Sequence, residues 1–267
     1  MRPTEEVSTA SSAQGFTDDA FIGGALRLLQ PAKGYRAGLD AVLLAAAAPI
    51  GPADVCDVLD AGSGVGTVGL CVARRCAGTH VTLLEREPAL ADLARQNAQR
   101  NDLADRVTVI EADMARGGAI AQGAGGHEAL RPAMFDHLLA NPPYRVIGSG
   151  TAPMGLKAAA HQLGQGDLER WMAALATLAR SDATLTLIHE AAALAEVLAA
   201  LDGRFGALRI LPIHPRVNRA ATRILVQGRK ASRAPLVLQA GFVLHQETSG
   251  FTPEAEAILR HGAALTL

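Results

Sequence analysis

Short runs of apolar residues alternate along most of the chain with longer segments of helical periodicity. Val55-Cys56-Asp57-Val58-Leu59-Asp60, His80 to Leu84, Arg106 to Ile110, Phe135 to Ala140 and Thr184 to Ile188 read as buried strands. Between them, an apolar segment through about Ala73, Pro88 to about Asn101, and Asp167 to Ala179 read as helices, with Pro88 at a first turn where its missing N–H costs nothing. A helix from Ala191 to Leu201 precedes strands from Leu208 to Ile213 and from Thr222 to Val226. The connection Pro215 to Ala221 makes those two a hairpin and the last strand antiparallel. Thr252-Pro253-Glu254-Ala255-Glu256 opens a final short helix with a conventional cap. Strands alternating with helices predict one doubly wound α/β sheet. Ahead of it, Phe16 to Ala48 predicts two short strands joined by a turn at Pro31 to Gly34, then a helix from near Asp40. Asp at a helix start ordinarily serves as an N-cap, whereas Gly34 and Gly38 around Tyr35 and Arg36 suggest backbone approaching a ligand.

Composition bounds this picture. At 267 residues and 49% hydrophobic, the chain can bury a full core, and a single domain over 16–267 is expected, with 16–48 as an N-terminal extension. Met1 to Gln14 is polar with no apolar core, so 1–15 reads as a disordered leader and not a signal peptide. No apolar run reaches the length needed to span a bilayer. The cysteines Cys56, Cys71 and Cys76 lie in apolar surroundings without metal-ligand spacing, which predicts a reduced, cytoplasmic protein with no structural metal. A net charge of -1 removes the argument that a strongly basic chain would give for nucleic acid. Locally the balance differs: Arg216, Arg219, Arg223, Arg229, Lys230 and Arg233 follow one another with no acid between them. Such a stretch could contact phosphates or simply solvate a surface.

Candidate chemistry sits where the strands end. The strand Val55 to Asp60 runs into Ala61-Gly62-Ser63-Gly64-Val65-Gly66 and a helix, a cradle in which side-chain-free backbone lets a ligand approach. Gly64, Gly66 and Gly69 also satisfy G-x-G-x-x-G, so a dinucleotide has to be weighed. Asp60 argues against it, since a carboxylate there would repel a pyrophosphate and suits a sulfonium or ammonium group better. Glu85 ends the next strand about twenty residues past the glycine turn, the spacing at which a carboxylate meets ribose hydroxyls. Asp113, after the third strand, offers acceptors to the amino hydrogens of an adenine, or is a loop-entry residue. Asp136 is open between that edge and an arginine partner. Finally Ala140-Asn141-Pro142-Pro143-Tyr144 halts a strand at two prolines. Asn141 and the carbonyls beside it supply acceptors, and Tyr144 a flat ring, so the segment could grip a planar amino group. Asn-Pro and Pro-Pro are equally ordinary turn residues. Gly117 to Gly126 reads as a loop, and 145–166, with Arg145, Lys157 and His161, as a substrate-facing loop, although a lone histidine is more often structural.

Together, the glycine turn, Glu85, Asp113 and Asn141-Pro142-Pro143-Tyr144 resemble the class I S-adenosylmethionine-dependent methyltransferases that modify planar amino groups, over roughly Gly34 to Lys230. Gly38-Leu39-Asp40-Ala41-Val42-Leu43-Leu44 is similar to the group that includes the valine-tRNA adenine-N6 methyltransferases, with Gly-Leu-Asp in place of its usual Gly-Thr-Asp. The resemblance implies a Rossmann-like, seven-stranded, mostly parallel sheet with a terminal antiparallel hairpin, S-adenosyl-L-methionine as cofactor, and an RNA partner such as tRNA. It implies that Gly62, Gly64 and Gly66 shape the cofactor loop, Glu85 binds ribose, Asp113 and Met114 flank adenine, and Asp40 or Tyr35 closes over the methionine end. Asn141 and the Pro142 carbonyl would accept the hydrogens of the target amino group, with Tyr144 on its ring. Pro143, Arg145, Lys157, His161, Arg216, Arg219 and Arg223 would face substrate. Glutamine-amide or guanine-N2 methylation, an inactive RNA-binding scaffold and a nicotinamide dehydrogenase are the alternatives; the oligomeric state is not legible.

Overall fold

The computed structural model describes residues 15–34, 36–114, 130–143 and 166–267. Its first elements are β1 (Phe16–Phe21) and β2 (Leu26–Pro31), an antiparallel hairpin closed by the turn Ile22–Gly24. The turn is therefore not at Pro31 to Gly34. Pro31 is the last residue of β2, opposite Phe16, an end position where a missing N–H is tolerated. Gly23 and Gly24 reverse the chain at positive φ, inside a run otherwise apolar enough to read as continuous strand. Helix α1 (Leu39–Ala47) takes Gly38 as its N-cap, so Asp40 lies within the first turn and does not cap it.

The alternation follows as β3 (Cys56–Ala61), α2 (Thr67–Arg75), β4 (Thr79–Glu85), α3 (Pro88–Arg100), β5 (Val107–Glu111), β6 (Phe135–Ala140), α4 (Asp167–Leu178), β7 (Ala179–Glu190), α5 (Leu194–Leu201), β8 (Phe205–Arg216), β9 (Arg223–Lys230), β10 (Val237–Leu238), β11 (Phe242–His245) and α6 (Pro253–His261). The strands lie in the order β5-β4-β3-β6-β7-β9-β8, with β9 antiparallel to both neighbours and the others parallel. Two short strands that the sequence did not announce, β10 and β11, add in parallel along the outer edge of β8. Thr252 caps α6 as expected, its side chain accepting from Ala255 N–H at 3.2 Å.

Successive strand residues serve opposite faces. Val58 and Leu139 pack with Leu43 of α1, Leu70 of α2, Ala94 of α3 and Ile258 of α6. Leu59 and Leu138 pack with Met172 and Leu175 of α4 and Leu201 of α5. Full burial of each such leucine is worth about 1.5–3 kcal/mol, and the two layers fix the sheet between them. At the start of β7, Arg180 donates to Asp136 at 2.6 Å and to Asp57 at 2.8 Å. Asp136 is thus an arginine partner at the opposite end of β6 from Asn141. The cysteines are free thiols, with Cys71 and Cys76 buried. Among the described residues no helix is long and apolar enough to cross a membrane.

Candidate active site

From β3 the chain steps outward through β4 and β5, then returns to the other side of β3 to form β6. The crevice outside the strand ends at such a reversal is where open α/β sheets bind ligands. Register brings the candidate residues there. Ala61 pairs with both Leu84 and Ala140, and Glu85 with Glu111, so Gly62, Glu85, Ala112-Asp113 and Asn141 emerge side by side from adjacent strands. They line a cavity of about 380 Å³ together with Met114, Pro142 and Pro143.

The glycine loop is held by its own backbone. Gly62 and Ser63 N–H both donate to Leu84 carbonyl, at 2.8 and 3.0 Å, and Gly66 N–H donates to Ser63 carbonyl at 2.9 Å. Gly62, Gly64 and Gly66 all take positive φ, the region that suits glycine. Gly62 and Gly64 line the cavity; Gly66 is the N-cap of α2 and acts on the loop's course. Gly69, the last glycine of the G-x-G-x-x-G match, lies inside α2 where a Cβ would stand 2.3 Å from Leu83 Cδ2, so its role is close packing on β4.

Glu85 is buried at the cavity wall, with Oε2 accepting from Gly64 N–H at 2.8 Å and Oε1 from Glu87 N–H at 2.9 Å. Burial raises its carboxyl above the ordinary range, against the pull of those two backbone bonds. A hydroxyl that donates to either oxygen would find it already aimed. Asp60 behaves differently from the expectation that it faces a ligand. It is 1% exposed and does not line the cavity; Oδ2 instead accepts from Gly69 N–H at 2.8 Å. A strand side chain leaves the sheet through a face, not along the strand, and Asp60 leaves toward α2.

Burial pushes the Asp60 carboxyl from its ordinary 3.8 up to about 7; the Gly69 bond opposes this and the Glu85 charge adds to it. The folded state then holds this proton more tightly than the unfolded chain, so the contribution to stability falls as pH rises from about 4 to 7. Asp60→Asn keeps an acceptor for Gly69 and removes the ionisation. Its stability relative to the wild type is expected to be greater at about pH 8 than at about pH 5 in urea unfolding. A difference that does not vary with pH would remove this account of Asp60.

The rest of the lining comes partly from the Arg36 to Asp40 segment already singled out in the sequence and partly from residues that no motif marked. Arg36 to Asp40, Leu90, and Asp167 with Trp171 of α4 also line the cavity. Trp171 Cη2 lies where it would be 2.6 Å from a Cβ on Gly62. The chain holds one tryptophan, the only sequence signal that could have singled out this position on an otherwise amphipathic helix. Asp40 accepts from Arg223 Nε at 2.9 Å, so that arginine is engaged at the cavity rim. Arg216 donates to the carbonyls of Gln246 and Glu247, and Lys230 to Ala179 carbonyl at 2.6 Å. The basic stretch is thus largely turned to internal acceptors, while Arg219 is exposed on the β8–β9 connection. Tyr35, Tyr144, Arg145, Lys157 and His161, with residues 1–14 of the leader and the Gly117 to Gly126 loop, lie outside the described residues.

Carboxylates outnumber guanidinium groups in the lining, with Asp40, Glu85, Glu87, Asp113 and Asp167 against Arg36 and Arg86. That balance disfavours a pyrophosphate and favours a ligand carrying positive charge. The model of the methyltransferase small domain matches residues 43–168. A crystal structure of a predicted O-methyltransferase from Agrobacterium tumefaciens is similar at 31% identity over 85% of this chain and 99% of that one, with a TM-score of 0.69. The chain belongs to the class I S-adenosylmethionine-dependent methyltransferases. Several curated relatives are called tRNA1(Val) (adenine(37)-N6)-methyltransferase. That of Shewanella amazonensis is 37% identical over 48% of this chain, a match that spans about half (49%) of the relative's length. That of Aeromonas hydrophila is 28% identical over 72% of this chain and 75% of its own.

The residues present fit the methyl donor of this methyltransferase family. The negative lining suits a sulfonium, and the glycine loop presents Gly62 and Gly64 to the cavity without side chains. In the same loop region the buried Ser63 Oγ and Thr67 Oγ1 have no hydrogen-bond partner among the described residues, leaving polar capacity there.

Proposed function

We propose that this methyltransferase transfers a methyl group from S-adenosylmethionine to the exocyclic amino group of a planar target, adenine N6 in tRNA or another structured RNA. The observation that carries the reading is the position of Asn141-Pro142-Pro143 one step past β6, beside Gly62 at the reversal of the sheet. Gly62 and Gly64 shape the donor loop with Gly66 holding its course, Glu85 receives the ribose, Asp113 and Met114 flank the adenine, and Asp40 or Tyr35 closes the methionine end. The donor supplies a methyl carbon already activated on a positive sulphur. The Asn141 side-chain oxygen and the Pro142 carbonyl accept the two hydrogens of the target amino group, and Tyr144 stacks on its ring. Held so, the nitrogen lone pair is drawn out of conjugation and aimed into the cavity. Positioning and charge complementarity then matter more than a strong base, and the proton leaves after transfer. An adenine in an unpaired loop is inexpensive to splay into such a pocket. Arg145, Lys157, His161 and Arg219 are the groups we assign to the RNA side, with Arg216 and Arg223 ordering that rim.

An O-methyl reading is raised by the description of the Agrobacterium relative. Asn141 and Pro142 provide acceptors for two hydrogens on one atom, which an amino group has and a hydroxyl does not. A glutamine amide offers the same pair, and a relative from Chlorobaculum tepidum, 34% identical over 37% of this chain, is called release factor glutamine methyltransferase; the tRNA name that recurs among the other curated relatives favours RNA. The deciding experiment incubates the protein with labelled S-adenosylmethionine and total tRNA, or total protein, and identifies the modified unit after digestion. N6-methyladenosine is expected. Methylglutamine, N2-methylguanosine or a methylated hydroxyl would replace the reading. Calorimetry with NAD beside S-adenosylmethionine tests the donor separately, and tight binding of NAD alone would exclude it.

A further inference from the structure

The N-terminal hairpin lies outside the sheet, yet its bonds reach the Arg36–Ala37 part of the cavity lining and, through Asn97, the glycine loop next to Gly64. At the first of these, Gln30, 1% exposed in β2, accepts from Ala37 N–H at 2.8 Å and donates to Asp19 at 2.9 Å. Asp19 also receives Arg36 at 2.7 Å, and Thr17 Oγ1 receives the same guanidinium at 2.8 Å. Arg36 and Ala37 both line the cavity. Toward the glycine loop stands Asn97 of α3, 0% exposed. Its Oδ1 accepts from Leu29 N–H at 2.7 Å, and its Nδ2 donates to Leu29 carbonyl at 3.0 Å and to Val65 carbonyl at 3.1 Å. One amide thus completes the free edge of β2 like a neighbouring strand and grips the middle of the glycine loop. From Val65 the path continues to Gly64, whose N–H donates to Glu85. A small apolar cluster of Val65, Leu90 and Leu93, with Leu29 packed on it, joins the same three elements independently of the polar bonds.

We propose that Asn97 is a positioning residue for the methyl donor: by tying β2 at Leu29 to Val65 it fixes the spacing between the Arg36–Ala37 wall and the glycine loop, so that donor binding is thermodynamically linked to the Leu29–Asn97–Val65 contact. This rests on the reading of the cavity as the donor site. The structure supplies its own control. One turn further along α3, Asn101 pairs with Arg27 in the same way, accepting from its N–H at 3.0 Å and donating to its carbonyl at 2.9 Å, but its other bond goes to Asn97 carbonyl at 2.8 Å and not to the loop. Loosening the hairpin through Asn101 therefore leaves the loop contact in place.

Isothermal calorimetry with S-adenosylmethionine on the full chain is the first test. Asn97→Ala is expected to weaken the donor about tenfold or more, the weight of a buried hydrogen bond, while Asn101→Ala stays within about threefold. In methylation assays the effect should fall on KM for the donor and leave kcat at saturating donor nearly unchanged. Equal weakening by both variants, or loss confined to kcat, overturns the proposal. Hydrogen exchange on the wild type needs no variant and decides the matter if Asn97→Ala does not fold. Because linkage is reciprocal, saturating donor should slow the amides of Leu29 and Gly66 together, leaving that of Arg27, held by Asn101, and those of β8 nearly unchanged. No slowing at Leu29, or slowing spread evenly over the sheet, overturns it as well. Absence of donor binding by the wild type would instead remove the donor-site reading itself.

Discussion

Asn141→Ala lowers the rate of methyl transfer by at least about 10²–10³-fold, the range seen when one preorganised hydrogen-bond partner of a transition state is removed, while the dissociation constant for S-adenosylmethionine stays within about threefold. The separation follows from where the two functions sit. Asn141 succeeds Ala140, fully buried and paired with Ala61 and Leu187, and precedes two prolines that restrict the backbone by themselves. Truncating its side chain therefore removes an acceptor without releasing the chain that carried it. The donor contacts assigned to Gly64, Glu85, Asp113 and Met114 arise on other strands and are untouched. Single-turnover assays at saturating donor and target give the rate, and calorimetry the affinity. A rise in target KM with kcat unchanged would mean that Asn141 binds ground state and transition state equally. Turnover at the wild-type rate removes Asn141 from the mechanism.

The parts of the site that were legible in the sequence are those in which one local change marks the position. Glu85, Asp113 and Asn141 each follow an apolar run at the point where a strand must end, and parallel strands in register turn that shared position into spatial proximity. Asp60 shows the limit of this logic, because the same strand-end pattern does not say toward which face a side chain leaves. Trp171 and Asp167 reach the cavity from α4 through tertiary packing, and on the helix they continue an amphipathic stripe with Leu168, Met172 and Leu175. Asn97 and Gln30 look like ordinary polar positions until β2 is docked, since the backbone groups they satisfy are distant in sequence. The arginines from Arg216 to Arg233 advertise charge, but the acceptors that engage Arg216, Arg223 and Lys230 are brought up by folding. The same holds for the hairpin turn, where Gly23 and Gly24 sit in an apolar run whose register only the paired strands reveal.

Gly62→Ala is expected to destabilise the protein by about 2–5 kcal/mol and to weaken the donor at least about tenfold, from two separable causes. Gly62 holds φ at +69°, which costs an L-residue about 1–2 kcal/mol. The new methyl would also stand 2.6 Å from Trp171 Cη2. That ring is 7% exposed and packed with Met172 and Leu175, so relief requires shifting either α4 or the loop, at a cost of about 1–3 kcal/mol for an overpacked site. A loss of this size is a large part of the 5–15 kcal/mol that typically separates folded from unfolded protein. Trp171→Leu removes the obstruction, and the double variant should therefore be more stable than the sum of the single changes allows; urea unfolding measures that coupling. Measured against Trp171→Leu alone, the double variant still carries the cost of φ, so a remainder of about 1–2 kcal/mol isolates the backbone contribution. Trp171 is the single tryptophan and lines the cavity, which makes its fluorescence a direct report on the donor. Donor addition is expected to change the emission of the wild type, and in Gly62→Ala the titration should shift to higher concentration. Additive stabilities, with an unshifted titration, would mean that the loop and α4 do not form one wall.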